Sequence, residues 1–332
     1  MAVSVFTARD VEAAVSPLEA YDAVRDAFIS YARGEWSMPP KVYVANYPAG
    51  DFRAMPALGG GHALLKWVTS FPGNPARGLP TVTGLVLLSN AEDGRLLAVL
   101  DAASVTALRT AAAAVLAADT LRRQEASTWA VIGCGVNGAE TARLLIARGG
   151  TPLVWDVDEG RRRAVAERLG AQVAESAAEA LACEVVITLT PGAEVLYPED
   201  SLEPGQHISL MGADGPGKAE VAIGELRRAH LFCDDWEQDG PNGISSPRLR
   251  LFCDDWEQAS HGGELTGAVE AGLIARDDVT QLGDVLAGMA PGRQHADDIT
   301  LFDSTGLAIQ DLAIAKAALL RADELDVPTL DL

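Results

Sequence analysis

The sequence predicts an α/β protein, and three observations carry that expectation. From Ser127 onward short apolar runs alternate with helical stretches across short links, the pattern of a parallel sheet with right-handed crossovers. A GxGxxG turn stands where one such run meets one such helix. Apolar residues make up 48% of the chain but aromatics only 5%, which suits alanine-rich helices packed on a sheet. With 332 residues there is room for two domains, each with its own core.

The opening third reads as a mixed α+β unit. A helical period covers residues 11–36 and is broken or bent near Pro17. After Pro39-Pro40 the period shortens, giving strands at 42–47, 52–55 and 63–71. Two more, 81–88 and 96–100, flank the polar stretch from Asn90 to Gly94, a hairpin signal. A helix follows over 102–121. The alternating part then gives strands at 129–133, 152–156, 184–190 and 207–212, with helices at 138–148 and 159–169. A strand at 299–302 and a helix at 307–320 end the chain.

Charge excludes whole classes of partner. Against 26 basic residues stand 47 acidic ones, for a net charge of −21. Nucleic acid and anionic membrane both require the opposite balance. The lysines are Lys41, Lys66, Lys218 and Lys316, and an acidic, lysine-poor surface resembles proteins of high-salt cytoplasm. No charged segment followed by an apolar one opens the chain, and the alanine-rich run 110–119 is too short to cross a bilayer. The four cysteines and five histidines show neither a disulfide framework nor metal-ligand spacing, so a reduced cytoplasm and no metal are expected.

One feature is anomalous. LFCDDWEQ at 231–238 recurs unchanged at 251–258, a local duplication rather than a solenoid. One strand slot is offered two identical occupants, joined by the loop-like DGPNGISSPRLR. The second copy is expected in the sheet, because the surplus then precedes the strand, away from the end where dinucleotides bind.

The strongest motif is WAVIGCGVNGAETARLL, residues 129–145. Gly133 permits the tight turn out of a strand, Gly135 lets backbone approach a pyrophosphate, and Gly138 lets the helix pack close to the sheet. Free amides at the helix start meet the phosphates. The next strand ends in Asp156, where an acid can hold an adenosine ribose diol and repel a 2′-phosphate, which favours NAD over NADP. Arg161, Arg162 and Arg163 nearby read as the solvated face of a helix.

Beyond this turn, ALLKWVTSFPGNPARGLPTVTGLVLL, LRTAAAAVLAADTL and MGADGPGKAEV occur in order along the chain. Together with the glycine turn they resemble the ornithine cyclodeaminase/μ-crystallin family, within it the archaeal-type alanine dehydrogenases. The duplicated segment has no counterpart there. The resemblance implies a Rossmann dinucleotide-binding domain, residues 121–303 with the duplicated 231–258, inserted into an α+β substrate and dimerisation domain of residues 1–120 plus 304–332. It implies a homodimer. It implies Lys66 and Asp214 as catalytic groups. NAD is then held by Arg109 and Thr110, by Gly133, Gly135, Val136, Asn137 and Gly138, and by Asp156, Val157 and Asp158. Thr190, Pro191, Met211, Gly212, Asp214, Lys218, Ser304 and Gly306 complete that set. Asp214 also reads as the cap of a helix starting near Gly217, and both roles are compatible.

An amino-acid substrate brings a carboxylate, and Lys41, Arg53, Lys66 and Arg109 lie on or beside the strands of the first domain to hold it. Alanine dehydrogenase and ornithine cyclodeaminase share the first oxidation and differ in what attacks the imine, water or the substrate's δ-amine. A cation at Arg53 would repel ornithine's second ammonium, which favours L-alanine, giving pyruvate and ammonia. Ornithine cyclodeamination, reduction of a cyclic imine and ligand binding without turnover are the alternatives.

Overall fold

The computed structural model describes residues 2–192, 194–212, 218–227, 230–233, 264–274 and 278–332. Its strands are β1 (Ala2–Phe6), β2 (Val42–Asn46), β3 (Gly50–Gly59), β4 (His62–Ser70), β5 (Val82–Asn90), β6 (Leu96–Asp101), β7 (Trp129–Ile132) and β8 (Leu153–Trp155). There follow β9 (Gln172–Val173), β10 (Val185–Thr188), β11 (His207–Leu210), β12 (His230–Cys233), β13 (Thr280–Gln281), β14 (Thr300–Asp303) and β15 (Thr329–Asp331). The α-helices are α1 (Ala8–Ala14), α2 (Pro17–Ala32), α3 (Ala102–Leu121), α4 (Val136–Ala147), α5 (Glu159–Leu169), α6 (Ala177–Leu181), α7 (Thr266–Glu270), α8 (Leu282–Leu286) and α9 (Ala308–Leu319). Two compact units result, one of Met1–Arg109 with Leu307–Leu332, the other Thr110–Gly306.

The first unit is built on a seven-stranded sheet, ordered β15-β1-β6-β5-β4-β3-β2. Strands β2 to β6 form an antiparallel meander, β1 pairs in parallel with β6, and β15 closes the edge. The helical period that begins near Val11 is cut at Pro17 because Ser16 caps a new helix. Ser16 accepts from the Glu19 amide while Glu19 accepts from Ser16, and proline costs nothing at a first helical position. Helix α9 packs on α2 and lies over β3, β4 and β5. It is buried nearly all round, Gln310 and Asp311 included. Strands β1 and β15 escaped the sequence reading, being short, at five and three residues, with little alternation to find.

The second unit carries an eight-stranded sheet, β13-β12-β14-β11-β10-β7-β8-β9, parallel throughout. Its fold is the doubly wound α/β class that the alternation predicts, with the cofactor end at the strand β7 to β10 reversal. The duplication resolves against expectation. Strand β12 is Leu231–Cys233 of the first copy with His230 before it, paired to β14 and β13. Identical octapeptides offer the sheet the same pattern, so only the connection distinguishes them, and the first copy follows β11 by the shorter one. The second copy lies outside the described residues. Helix α3 has the bounds expected of it, and although at 20 residues it is long and apolar enough to cross a membrane, residues 107–118 are buried within the protein.

At the base of this unit His207 is completely buried. Its Nε2 lies 2.9 Å from Ser209 Oγ and its Nδ1 2.9 Å from Thr300 Oγ1. The two hydroxyls also reach backbone carbonyls, Ser209 that of Ala114 and Thr300 that of Leu121, so both ring nitrogens sit in a closed polar network. Burial, then the nearby Arg293 and Arg122, push the imidazole down to about 3. The unfolded chain takes up this proton near pH 6.5 and the folded chain does not. Stability from this site is therefore complete above that pH. It declines by about 1.4 kcal/mol per unit as the pH falls below it. Urea midpoints of wild type and His207→Gln across pH 4 to 8 check this: the acid slope should shrink in the variant.

Candidate functional site

In the first unit, strand alternation turns Leu64, Lys66 and Val68 of β4 inward and Leu65 and Trp67 outward. Lys66 is only 1% exposed. Its Nζ donates to Thr106 Oγ1 at 2.6 Å and to Asp311 Oδ1 at 2.9 Å. Arg109 follows Thr106 on the same face of α3. It donates through Nη1 to Gln310 Oε1 at 3.2 Å and sets Nε 3.5 Å from Asp311 Oδ1. Desolvation lowers Lys66 to about 8, although Asp311 opposes it; Arg109 and Lys41 add to the fall. Two buried cations thus face one carboxylate. Arg109 Nε, Gln310 Nε2 and Asp311 Oδ2 have no hydrogen-bond partner among the described residues. Such a surplus of positive charge and unused donors is suited to an incoming carboxylate.

Arg53, on β3, shares the sheet face of Lys66, since Met55 pairs with Lys66 and Arg53 with Val68. It is not an isolated cation. Its Nε sits 2.6 Å and its Nη2 3.2 Å from the two oxygens of Asp51, and its guanidinium lies over the Tyr43 ring. Its charge is largely offset, which weakens the argument that it would repel a second ammonium. Lys41, half-buried before β2, acts on Lys66 through charge alone.

In the second unit, Gly133 has φ +97° and Gly138 packs so near that a Cβ on it would strike the Gly133 carbonyl. A Cβ on Gly135 would meet nothing within 4 Å. Helix α4 starts at Gly135 with no side-chain cap, leaving first-turn amides for an anion. Val136 and Val157 are exposed apolar residues beside the turn. These features fit a dinucleotide. Asp156 proves to be a strut as well: its oxygens accept from the amides of Cys134 at 2.7 Å and Asp158 at 2.8 Å. Asp158 caps α5, Arg162 folds over the Trp155 ring, and Arg161 and Arg163 pair on the solvated face.

Thr190 is held by Glu220, a wholly buried carboxylate that accepts from both Thr190 and Thr188. Thr190 Oγ1 accepts in turn from Gly192 N, fixing the bend around Pro191. Glu264 receives the backbone amides of Glu220 and Val221, and burial pushes it up to about 7. Met211 and Gly212 follow β11, with Gly212 pressed against the Thr190 carbonyl. Lys218 is half-buried, Ser304 is buried just after β14, and Gly306 has φ +85°. Thr110 is buried with no hydroxyl partner among the described residues. Asp214 lies outside them.

Asp311 and Gln310 escaped the sequence reading. Their signal was a polar pair inside the apolar period of LFDSTGLAIQDLA, where a solvent-facing side would show polar residues spaced along the helix.

The model of the ornithine cyclodeaminase/mu-crystallin family matches residues 1–324. The chain belongs to that family. Within it, an alanine dehydrogenase of Archaeoglobus fulgidus is 41% identical over 330 residues, 95% of this chain and 94% of the relative. An archaeal alanine dehydrogenase dimer with bound NAD superposes with a TM-score of 0.88 at 39% identity, covering 100% of this chain and 99% of that one. The iminosuccinate reductase of Paracoccus denitrificans, in complex with NAD⁺, has a TM-score of 0.85 at 26% identity, both chains fully covered.

The glycine turn generates one prediction of its own. Gly138→Ala forces backbone apart and lowers Tm, at a cost on the order of 1–3 kcal/mol. Gly135→Ala, with open space beside it, leaves Tm unchanged. Thermal unfolding of both variants checks the contrast.

Proposed function

We propose that this chain catalyses the reversible NAD-dependent oxidative deamination of L-alanine to pyruvate and ammonia. The observation that carries the reading is the buried cationic cluster of Lys66 and Arg109 around the single carboxylate of Asp311, with donors left over for a substrate carboxylate. Likeness to alanine dehydrogenases over nearly the whole chain supports it. NAD⁺, when bound, supplies the hydride acceptor, and the open amides of α4, Gly135 and the Thr190 bend are the groups to hold it.

The chain's own residues then have defined tasks. Lys66 as the ammonium and Arg109 grip the substrate carboxylate, with Lys41 adding charge. Once the substrate is an imine, water adds at Cα and ammonia leaves. Lys66, whose proton affinity lies close to neutral, exchanges protons in those steps. Asp214 is its acid–base counterpart by family resemblance. A second reading, ornithine cyclodeamination, draws on the Asp51–Arg53 pair, which puts an acid within the same face for a second ammonium.

A homodimer accompanies the proposal. The outer face of the first sheet exposes Val42, Val44, Leu58, Leu65, Trp67 and Leu85, an apolar surface that a monomer would leave in water. A cytoplasmic site of action is part of the same reading, with Cys134 and Cys183 buried as free thiols.

NADH formation at 340 nm in high potassium chloride, with alanine and ornithine offered separately, tests the activity. Net NADH with pyruvate and ammonia supports it, whereas proline and ammonia from ornithine without net NADH make the chain a cyclodeaminase. Lys66→Ala should lower kcat/KM for alanine by about 10²–10⁴-fold and leave NADH binding intact by fluorescence titration. Pyruvate carries a carboxylate and no amine, so its binding should weaken above pH about 8, where Lys66 loses its proton. A flat pyruvate profile would remove Lys66 from the carboxylate site.

A further inference from the structure

Lys66 has three ammonium hydrogens, and two of them are committed. Thr106 can only accept from it, because the Thr106 hydroxyl gives its own proton to the Ala102 carbonyl at 2.6 Å. Asp311 takes the other at 2.9 Å and brings the negative charge. The third hydrogen is left for a ligand. We infer that Asp311, 245 residues further along the chain, is a positioning residue for Lys66: it fixes where the ammonium points and strengthens its hold on the proton. The inference rests on the reading of Lys66 as the lysine that holds the substrate carboxylate.

Beyond the acceptor that Thr106 offers, the other influences on Lys66 work against its charge. Burial strips its water, Arg109 approaches from α3, and Lys41 approaches from the segment before β2. Asp311, from α9, is the group that opposes all three among the described residues. Its Oδ1 serves Lys66 and lies 3.5 Å from Arg109 Nε, so one oxygen sets the spacing of both cations. Its Oδ2 keeps its lone pairs unused among the described residues. Without the carboxylate, two cations and no counter-charge would share a dry site, and the lysine is the one able to shed its proton.

The scarcity of lysine makes the test direct. With [13Cε]lysine incorporated, Lys66 is one of four signals, assigned by its disappearance in Lys66→Arg. In the wild type its titration midpoint should lie near 8. In Asp311→Asn, which keeps the shape and removes the charge, the midpoint should fall by about one unit or more. Asp311→Glu keeps the charge and should recover most of that fall, which separates charge from packing and serves if the asparagine variant does not fold. An unmoved midpoint in Asp311→Asn, or an equally deep fall in Asp311→Glu, overturns the inference. The titration needs neither substrate nor cofactor. A shifted midpoint with an unshifted pH profile of pyruvate binding would therefore retain Asp311's role and reject the assignment of Lys66 to the carboxylate.

Discussion

A lysine ammonium taken out of water must be compensated, and much of the first unit follows from that constraint at Lys66. Strand alternation on β4 leaves no choice of direction, since turning Lys66 outward would turn Leu65 and Trp67 inward. The compensating groups come from two helices, Thr106 on α3 and Asp311 on α9. Loss of one partner of such a buried pair typically costs about 3–5 kcal/mol, because the other charge is stranded. Thus α9 has two duties at once. Its apolar residues close the core over β3, β4 and β5, and its one buried acid completes the charge balance beneath them.

The second unit is organised by close backbone approach rather than by charge. Gly133, Gly138 and Gly212 sit where a side chain would collide with a carbonyl, so the strand ends and the first turn of α4 can converge. Around that convergence the carboxylates act as struts. Asp156 ties the glycine turn to the end of β8, and Glu220 ties β10 to the segment after β11. Glu264 secures Glu220 in turn through its backbone amide. An acidic chain need not display all its acids to solvent; these ones replace covalent bracing.

Much of this was legible in the sequence. The strand–turn–helix at Trp129 to Ala147 was readable because glycine spacing and apolar period agree there, and the meander from Val42 to Asp101 because alternation does. The capping of α2 was latent in Ser16-Pro17 with Glu19. What stayed hidden concerns pairing over long separations. Nothing local reveals that Asp311 answers Lys66, that Arg53 is spoken for by Asp51, or that Asp156 serves amides before any ribose. The two copies of LFCDDWEQ were indistinguishable by pattern, and connection alone decided which became β12.

The separation between Lys66 and Asp311 also bears on how the protein is made. At ordinary elongation rates of about 5–20 residues per second, the 245 residues between them take on the order of ten to fifty seconds to emerge from the ribosome. Throughout that interval β4 is complete while its counter-charge does not yet exist. The nascent sheet therefore keeps its lysine hydrated and its face unsealed, and the intervening unit can fold first. A chain stopped short of Ala308 would leave that face unsealed permanently, so premature termination yields a substrate for quality-control proteases rather than a weakened enzyme.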